Sequence, residues 1–235
     1  MLLLGIDTSS QVASAAVVQD GTVICEYMLN RKKTHSAHML PMVEQMLAAA
    51  ELKLEEMDGF VCGVGPGSFT GVRIGAATVK GFAQALAKPV VTVNSLEALA
   101  FGCMPFEGLI VSIIFARVDE VFCAAYHAEN GELSEVIIPS VLRISELLDK
   151  LSGEKCLFVG DGALMHRELI GDRMGKCAQF VVSRQHLISA GNMSLIAEQK
   201  IKKNGWECYD NISPLYLRVS QAEREYQEKH GGKEL

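Results

Sequence analysis

The residues best placed to do chemistry lie in one stretch, Gly63-Val64-Gly65-Pro66-Gly67-Ser68-Phe69-Thr70-Gly71-Val72-Arg73-Ile74-Gly75. Glycines at this density let backbone approach a phosphate closely. The loop is not a Walker loop, because no Gly-Lys-Ser/Thr ends it. Gly65-x-Gly67-x-x-x-Gly71 imitates a dinucleotide fingerprint, but Pro66 removes a donor N–H and the next strand, 89–93, ends in Asn94 rather than a ribose-binding acid. A tight turn followed by a closely packed helix accounts for these glycines better. Metal chemistry has one candidate pair, His35 and His38, with no visible third ligand. Capping, packing or partner contact suits that pair better, and His127, His166, His186 and His230 form no cluster. A peptidase would need a Gly-x-Ser-x-Gly elbow or a His-Glu-x-x-His, and neither occurs.

The elements that must carry the loop are readable on either side of it. An apolar run at 60–63 has strand character, and Phe69, Val72, Ala76, Val79, Ala83 and Leu86 repeat on one helix face. Ser68 sits where an N-cap hydroxyl accepts a first-turn N–H. Gly71, Gly75 and Gly81 each cost about 1 kcal/mol relative to alanine in a helix. Packing must offset that cost, so the helix touches structure on more than one side.

Bulk properties narrow the function classes. A chain of 235 residues with 49% hydrophobic content supports one large domain or two small ones. A formal net charge of -6 argues against independent nucleic-acid binding. The basic run Arg31-Lys32-Lys33 reads as a solvated loop. Seven cysteines, an odd number with no Cys-x-x-Cys, argue for a reducing compartment and against a disulfide framework or a cysteine zinc site. No signal-peptide core or bilayer-spanning run is present, so a cytoplasmic protein is expected.

Taken in order, strands are expected at 2–8, 13–19 and 22–29, with Asp20-Gly21 as a hairpin turn. A helix at 37–50 follows, with Pro41 tolerated only near its first turn. Then come a strand at 60–64, the glycine-loop helix and a strand at 90–93. The second half repeats this order. It has strands at 109–116, 120–127 and 133–138 around Asn130-Gly131, a helix at 144–151, a strand at 156–160, a short helix at 164–170 and a strand at 179–182. Two copies of β-β-β-α-β-α-β imply a duplicated α/β fold. A last helix at 192–203 stops at Gly205, and the charged end from residue 223 is expected to fray.

The glycine stretch closely resembles the signature of the TsaB (YeaZ) family, whose members take part in making threonylcarbamoyladenosine in tRNA. Leu4-Gly5-Ile6-Asp7-Thr8-Ser9, Gly160-Asp161-Gly162-Ala163 and Pro214-Leu215-Tyr216-Leu217-Arg218 match in the same order. The resemblance spans nearly the whole chain, and the loop is its most specific part, above all Gly65, Pro66, Gly67, Ser68, Phe69, Thr70, Gly71 and Arg73. It implies the actin, Hsp70 and sugar-kinase fold, of ribonuclease H-like type. The first subdomain would be 1–100 with the helix at 189–205 packed back on it, the second 101–188, and 206–235 a terminal segment. It places a vestigial nucleotide site at Asp7, Thr8, Ser9, Gly160, Asp161 and Gly162, with ATP or ADP as the residual ligand and no other cofactor. The second phosphate loop of that fold should be glycine-rich, but Phe115-Ala116-Arg117-Val118-Asp119 holds its place, and Phe115 replaces the Asp of many relatives. The catalytic sister subunit, TsaD, carries His-x-Glu-Gly-His after the strand matching 89–93, where this chain reads Ser95-Leu96-Glu97-Ala98-Leu99. The acid survives and both metal ligands are gone. The resemblance therefore implies a non-catalytic subunit that binds TsaD, joins a TsaE-like ATPase in the complex, meets tRNA only through the complex and self-pairs when alone. A small ATPase or kinase of the same superfamily, or a metal-dependent peptidase, would be the alternatives.

A partner surface is expected on the first helix. Leu40, Val43, Leu47 and Ala50 form one apolar stripe, and Met39, Met42, Met46 and Ala49 form another. A deeply buried helix would explain both. The preferred reading puts the leucine-valine stripe on the core and the adaptable methionines on a partner. His35, His38, Gly71 and Gly75 would complete that surface, in the way TsaB pairs with TsaD through two helices of each chain.

Overall fold

Two hairpins are set by turns that need left-handed backbone. Asp20 and Gly21 take φ of 47° and 78°, and Asn130 and Gly131 take 53° and 80°. Positive φ at both central residues is the type I′ turn, whose twist matches the strands it joins. The computed structural model describes residues 1–31 and 34–218.

The first half runs β1 (Leu2–Asp7), β2 (Val12–Gln19), β3 (Thr22–Asn30), α1 (His35–Ala49), β4 (Gly59–Gly63), α2 (Phe69–Leu86), β5 (Val90–Val93) and α3 (Ser95–Phe101). Its sheet has the order β3-β2-β1-β4-β5, antiparallel through the meander and parallel from β1 to β5. The second half runs β6 (Leu109–Arg117), β7 (Glu120–Glu129), β8 (Glu132–Arg143), α4 (Ile144–Lys150), β9 (Cys156–Val159), α5 (Asp161–Met165), α6 (Arg167–Met174) and β10 (Ala178–Phe180). Read from the far edge, its sheet repeats the first, as β8-β7-β6-β9-β10. The duplicated α/β fold is therefore present.

The layers follow from which faces are apolar. α1 and α2 cover the outer face of the first sheet, and α4, α5 and α6 contribute to the apolar cluster on the outer face of the second. Between the sheets lies a shared core of Leu3, Val61, Ile110 and Tyr126, filled by α3 and by α7 (Ala190–Asn204). β1 has both faces covered, so five of its six residues are buried and it reads as an unbroken apolar run. α7 is fixed to the first sheet at its N-terminus. Ser14 Oγ accepts from Ala190 N at 2.9 Å, and Glu26 Oε1 accepts from Ser189 Oγ at 2.7 Å and Gly191 N at 3.0 Å. No described helix is long and apolar enough to cross a membrane.

Three elements differ from the sequence reading. α3 has no counterpart in it. The expected helix at 164–170 is two helices, broken at His166, where φ is -103° and ψ is 17°. α1 starts at His35, so Pro41 lies a full turn and more inside it. Pro41 and Ala37 both lie on the exposed face, where water can serve the Ala37 carbonyl, which the missing N–H of Pro41 leaves without its helical donor. Lys32 and Lys33 of the basic run, and the end of the chain expected to fray, fall outside the described residues.

The methionine stripe of α1 is also placed differently. Met39, Met42 and Met46 are buried together with Val43 and Leu47, whereas Leu40 is 54% exposed. At 100° per residue these five buried positions span an arc of about 140°, one continuous face. The methionines run from one edge of it, Met42, to its centre, Met39, and belong to the core of this chain, which corrects their assignment to a partner. The outward arc carries Ala37, Leu40, Pro41, Glu44 and Ala48. Beside it, α2 exposes Thr70, Arg73, Ala77, Gly81 and Ala85.

Candidate functional site

Asp7 ends β1 and is fully buried. Its Oδ1 accepts from Ser9 N at 3.0 Å and from Ser9 Oγ at 2.9 Å, and its Oδ2 accepts from Ser95 Oγ at 3.0 Å. Ser9 Oγ and Ser95 Oγ are also 3.0 Å apart. Burial pushes the Asp7 carboxyl above the ordinary carboxylate range, and the serine hydrogen bonds oppose that only in part. Both carboxylate oxygens are engaged within the chain.

The glycine loop closes over this turn. Ser68 N donates to Ser9 O at 2.7 Å, and Thr8 Oγ1 donates to Gly71 O at 2.7 Å. A Cβ on Gly67 would meet the Ser9 carbonyl oxygen far inside van der Waals contact, and one on Gly71 would meet that of Thr8. Gly75 also faces Thr8, with its Cβ position 2.7 Å from Oγ1. Gly71 and Gly75 are thus needed for closure within the chain and are buried, which removes them from the partner surface. Ser68 is the N-cap, accepting from Gly71 N at 3.2 Å.

The turn after β9 in the second half is closed as well. Asp161 Oδ1 accepts from Phe115 N at 3.0 Å, and burial raises its carboxyl as well. Gly160, at φ 102°, and Gly162 both lie directly on Ile113. His186 Nδ1 is 2.9 Å from Gly160 O. Among the described residues no hydrogen bond joins the 7–9 triplet to the 160–162 triplet. α3 lies between them, with Ser95 on Asp7 and Leu99 against Gly160.

The remaining candidates disperse. His35 Nε2 is 2.9 Å from Ser10 O, while His38 lines a groove with Tyr27, Leu29 and Met42. Among the described residues no three His, Cys, Asp or Glu side chains gather as metal ligands would. The positions matching TsaD's histidines do not fit a metal, because Ser95 is bonded to Asp7 and Leu99 is core. Glu97, the surviving acid, pairs with Lys200 of α7 at 2.7 Å. Arg117, at the tip between β6 and β7, pairs with Glu120.

The glycine loop and the last of the family motifs meet in space. Leu215 N donates to Val64 O at 2.8 Å. Tyr216 packs on Phe69 with ring centroids 4.9 Å apart, and Arg73 Nε donates to Tyr216 Oη at 2.9 Å. Arg218 Nε lies 3.7 Å from Glu120, tying the segment to the second half. Sequence reasoning quoted Tyr216 and Ser95 but assigned neither its partner. No local pattern links residues 88 or 143 positions apart.

The engaged, raised carboxyl of Asp7 has a testable consequence. A group whose folded pKa is raised stabilises the fold below its unfolded pKa, and that contribution is lost as pH rises through the folded pKa. Wild type should therefore lose stability from about pH 4 upward. Asp7→Asn, which cannot ionise, should lose less over the same range, whatever its constant offset. Melting temperatures at acidic and mildly basic pH check this, and equal slopes for the two proteins would contradict it.

Comparison with known proteins agrees with this geometry. The family model described as TsaD, tRNA N6-adenosine threonylcarbamoyltransferase, matches residues 22–226. The tRNA threonylcarbamoyladenosine biosynthesis protein TsaB of Bacillus subtilis is 32% identical over 96% of this chain and 98% of its own length. That of Escherichia coli is 31% identical over 94% and 96%. The structure of YeaZ from Pseudomonas aeruginosa superposes with a TM-score of 0.80 at 28% identity, covering 92% of this chain and 99% of that one. An activator of 2-hydroxyisocaproyl-CoA dehydratase from Clostridium difficile, at 11% identity and a TM-score of 0.54, shares the fold alone. With nearly its whole length matched and its signature loop assembled against the last of the family motifs, this chain belongs to the TsaB (YeaZ) family of tRNA threonylcarbamoyladenosine biosynthesis proteins.

Proposed function

We propose that this chain is a non-catalytic subunit in the synthesis of threonylcarbamoyladenosine at position 37 of tRNA, binding and supporting a TsaD-type transferase. The observation that carries this reading is the closure of Asp7. An acid that is to orient a magnesium-bound water needs an oxygen within reach of solvent, and here Asp7 is fully buried with Ser9 and Ser95 bonded to its two oxygens. The chain then needs no metal or cofactor of its own, with ATP or ADP as its residual ligand. It works in the cytoplasm, meets a TsaE-type ATPase and tRNA through the complex, and pairs with itself when the transferase is absent.

The outward faces of α1 and α2 are the surface for that pairing. Leu40, Ala37, Pro41 and Ala48 lie open on α1, and Ala77, Gly81 and Ala85 on α2. Gly81 supports this. It costs the helix about 1 kcal/mol relative to alanine, yet beyond the adjoining backbone of α2 no atom of the described residues lies within 4 Å of its Cβ position. Close approach of another helix would account for it. Leu40→Glu and Ala77→Glu are expected to melt within a few degrees of wild type, because both sites are exposed. Each should abolish self-association and weaken transferase binding at least ~100-fold, the cost of truncating or charging a central contact. Size-exclusion mass and calorimetric titration with the transferase subunit measure both. Wild-type binding by both variants would refute the assignment.

A further inference from the structure

We propose that Arg73 is a preorganised anchor for a carboxylate of the protein that docks on the α1–α2 face; this deepens, and rests on, the subunit reading. Its guanidinium lies 3.9 Å from the centroid of the Phe69 ring, and its Nε donates to Tyr216 Oη at 2.9 Å. The Tyr216 ring in turn packs on Phe69. One face of the guanidinium and one of its donors are thereby fixed. No described carboxylate lies within ion-pair distance of it, although Arg117, Arg173 and Arg184 all have one. Arg73 is exposed, and so are Thr70 and Ala77 one turn to either side of it.

A long side chain on a surface normally loses rotamer freedom when it binds. Here the stacking and the tyrosine bond have already removed much of it. What remains to be satisfied is the pair of terminal amino groups, a planar fork that matches a carboxylate or a phosphate. The rest of the chain decides between the two. Its net charge of -6 offers no basic footprint for a polyanion. Arg73 instead continues the exposed apolar stripe of Ala77 and Gly81 on α2. A cation at the end of such a stripe fixes register and steers a partner bearing an acid opposite it.

The test uses the full chain and the transferase subunit, titrated at low and high salt, with Arg73→Gln, Arg73→Lys, Tyr216→Phe and Ala77→Glu. Arg73→Gln should fold as wild type, bind the transferase ~30-fold or more weakly and show a flatter salt dependence, as loss of a desolvated charge pair does. Arg73→Lys should recover only part of the affinity, because lysine offers no fork. Tyr216→Phe keeps the charge and removes only the bond to Nε, so a several-fold loss would show that positioning matters. If Arg73→Gln binds as wild type at both salts while Ala77→Glu does not, the anchor is wrong and the docking face stands. If Ala77→Glu also binds as wild type, the underlying surface is wrong. If Arg73→Gln leaves protein binding intact but weakens the assembled complex for tRNA, the occupant is a phosphate and the carboxylate proposal is overturned.

Discussion

Met46→Glu is expected to leave no folded protein at neutral pH. Met46 is fully buried beside Met39, Val43 and Phe60 on the outer face of the first sheet. Removing a buried methionine costs about 2–5 kcal/mol in lost transfer and packing. The glutamate carboxylate, with no cation described in that cluster, adds several kcal/mol more unless it takes up a proton. Together these approach the ~5–15 kcal/mol that holds a typical domain. The glutamate's folded pKa would be raised, so any residual fold should appear at acidic pH and vanish as pH rises. Met46→Leu, which conserves shape and polarity, should cost less than about 1.5 kcal/mol. Far-UV circular dichroism melts of the three proteins decide the matter. A glutamate variant that melts within a few degrees of wild type would mean that this arc faces outward.

The methionine stripe shows how far the sequence was legible. Its helical period located the apolar arc of α1, but periodicity is blind to which part of a wide arc meets the sheet. Methionine and leucine are similarly apolar, so only the seating of the helix on β2 and β3 made the choice. The hairpins were plain because Asp20-Gly21 and Asn130-Gly131 carry their conformation locally. α3 was invisible for the opposite reason. It lies between two sheets and is buried nearly all round, including Ser95, Leu96, Ala98, Leu99 and Ala100. A helix without a polar face has no amphipathic period to read. Its one local signal was Asn94, whose Oδ1 caps Leu96 N at 2.8 Å. Asp7 was named from family resemblance, but its closure depends on Ser95, a residue of that unread helix. The reading could therefore point to the turn without showing that both of its oxygens are engaged.

Gly71→Ala should be as damaging as most core truncations, although alanine is the better helix former by about 1 kcal/mol. Gly71 lies in the first turn of α2, and its missing Cβ leaves room for the Thr8 carbonyl oxygen. An added methyl meets backbone there, so no change of rotamer relieves it. Either α2 or the turn after β1 must move. That motion strains the Thr8 Oγ1 bond to Gly71 O, the Ser68 N bond to Ser9 O and, through Ser9, the donors around Asp7. Overpacking alone costs about 1–3 kcal/mol, and loosening these buried hydrogen bonds adds to it. At ~2–4 °C per kcal/mol for a chain of this size, a total near 3 kcal/mol lowers the melting temperature by about 6–12 °C. Gly81→Ala is the internal control, being the same substitution in the same helix with no described atom beyond the adjoining helix backbone within 4 Å of the new methyl. It should raise the melting temperature by a few degrees, as relief of a helical glycine does, while weakening association if a partner helix approaches there. Opposite signs for the two variants are the expected result. A Gly71→Ala protein that melts at or above wild type would mean that the loop over Asp7 is pliable, and the closure on which the non-catalytic reading rests would lose its support.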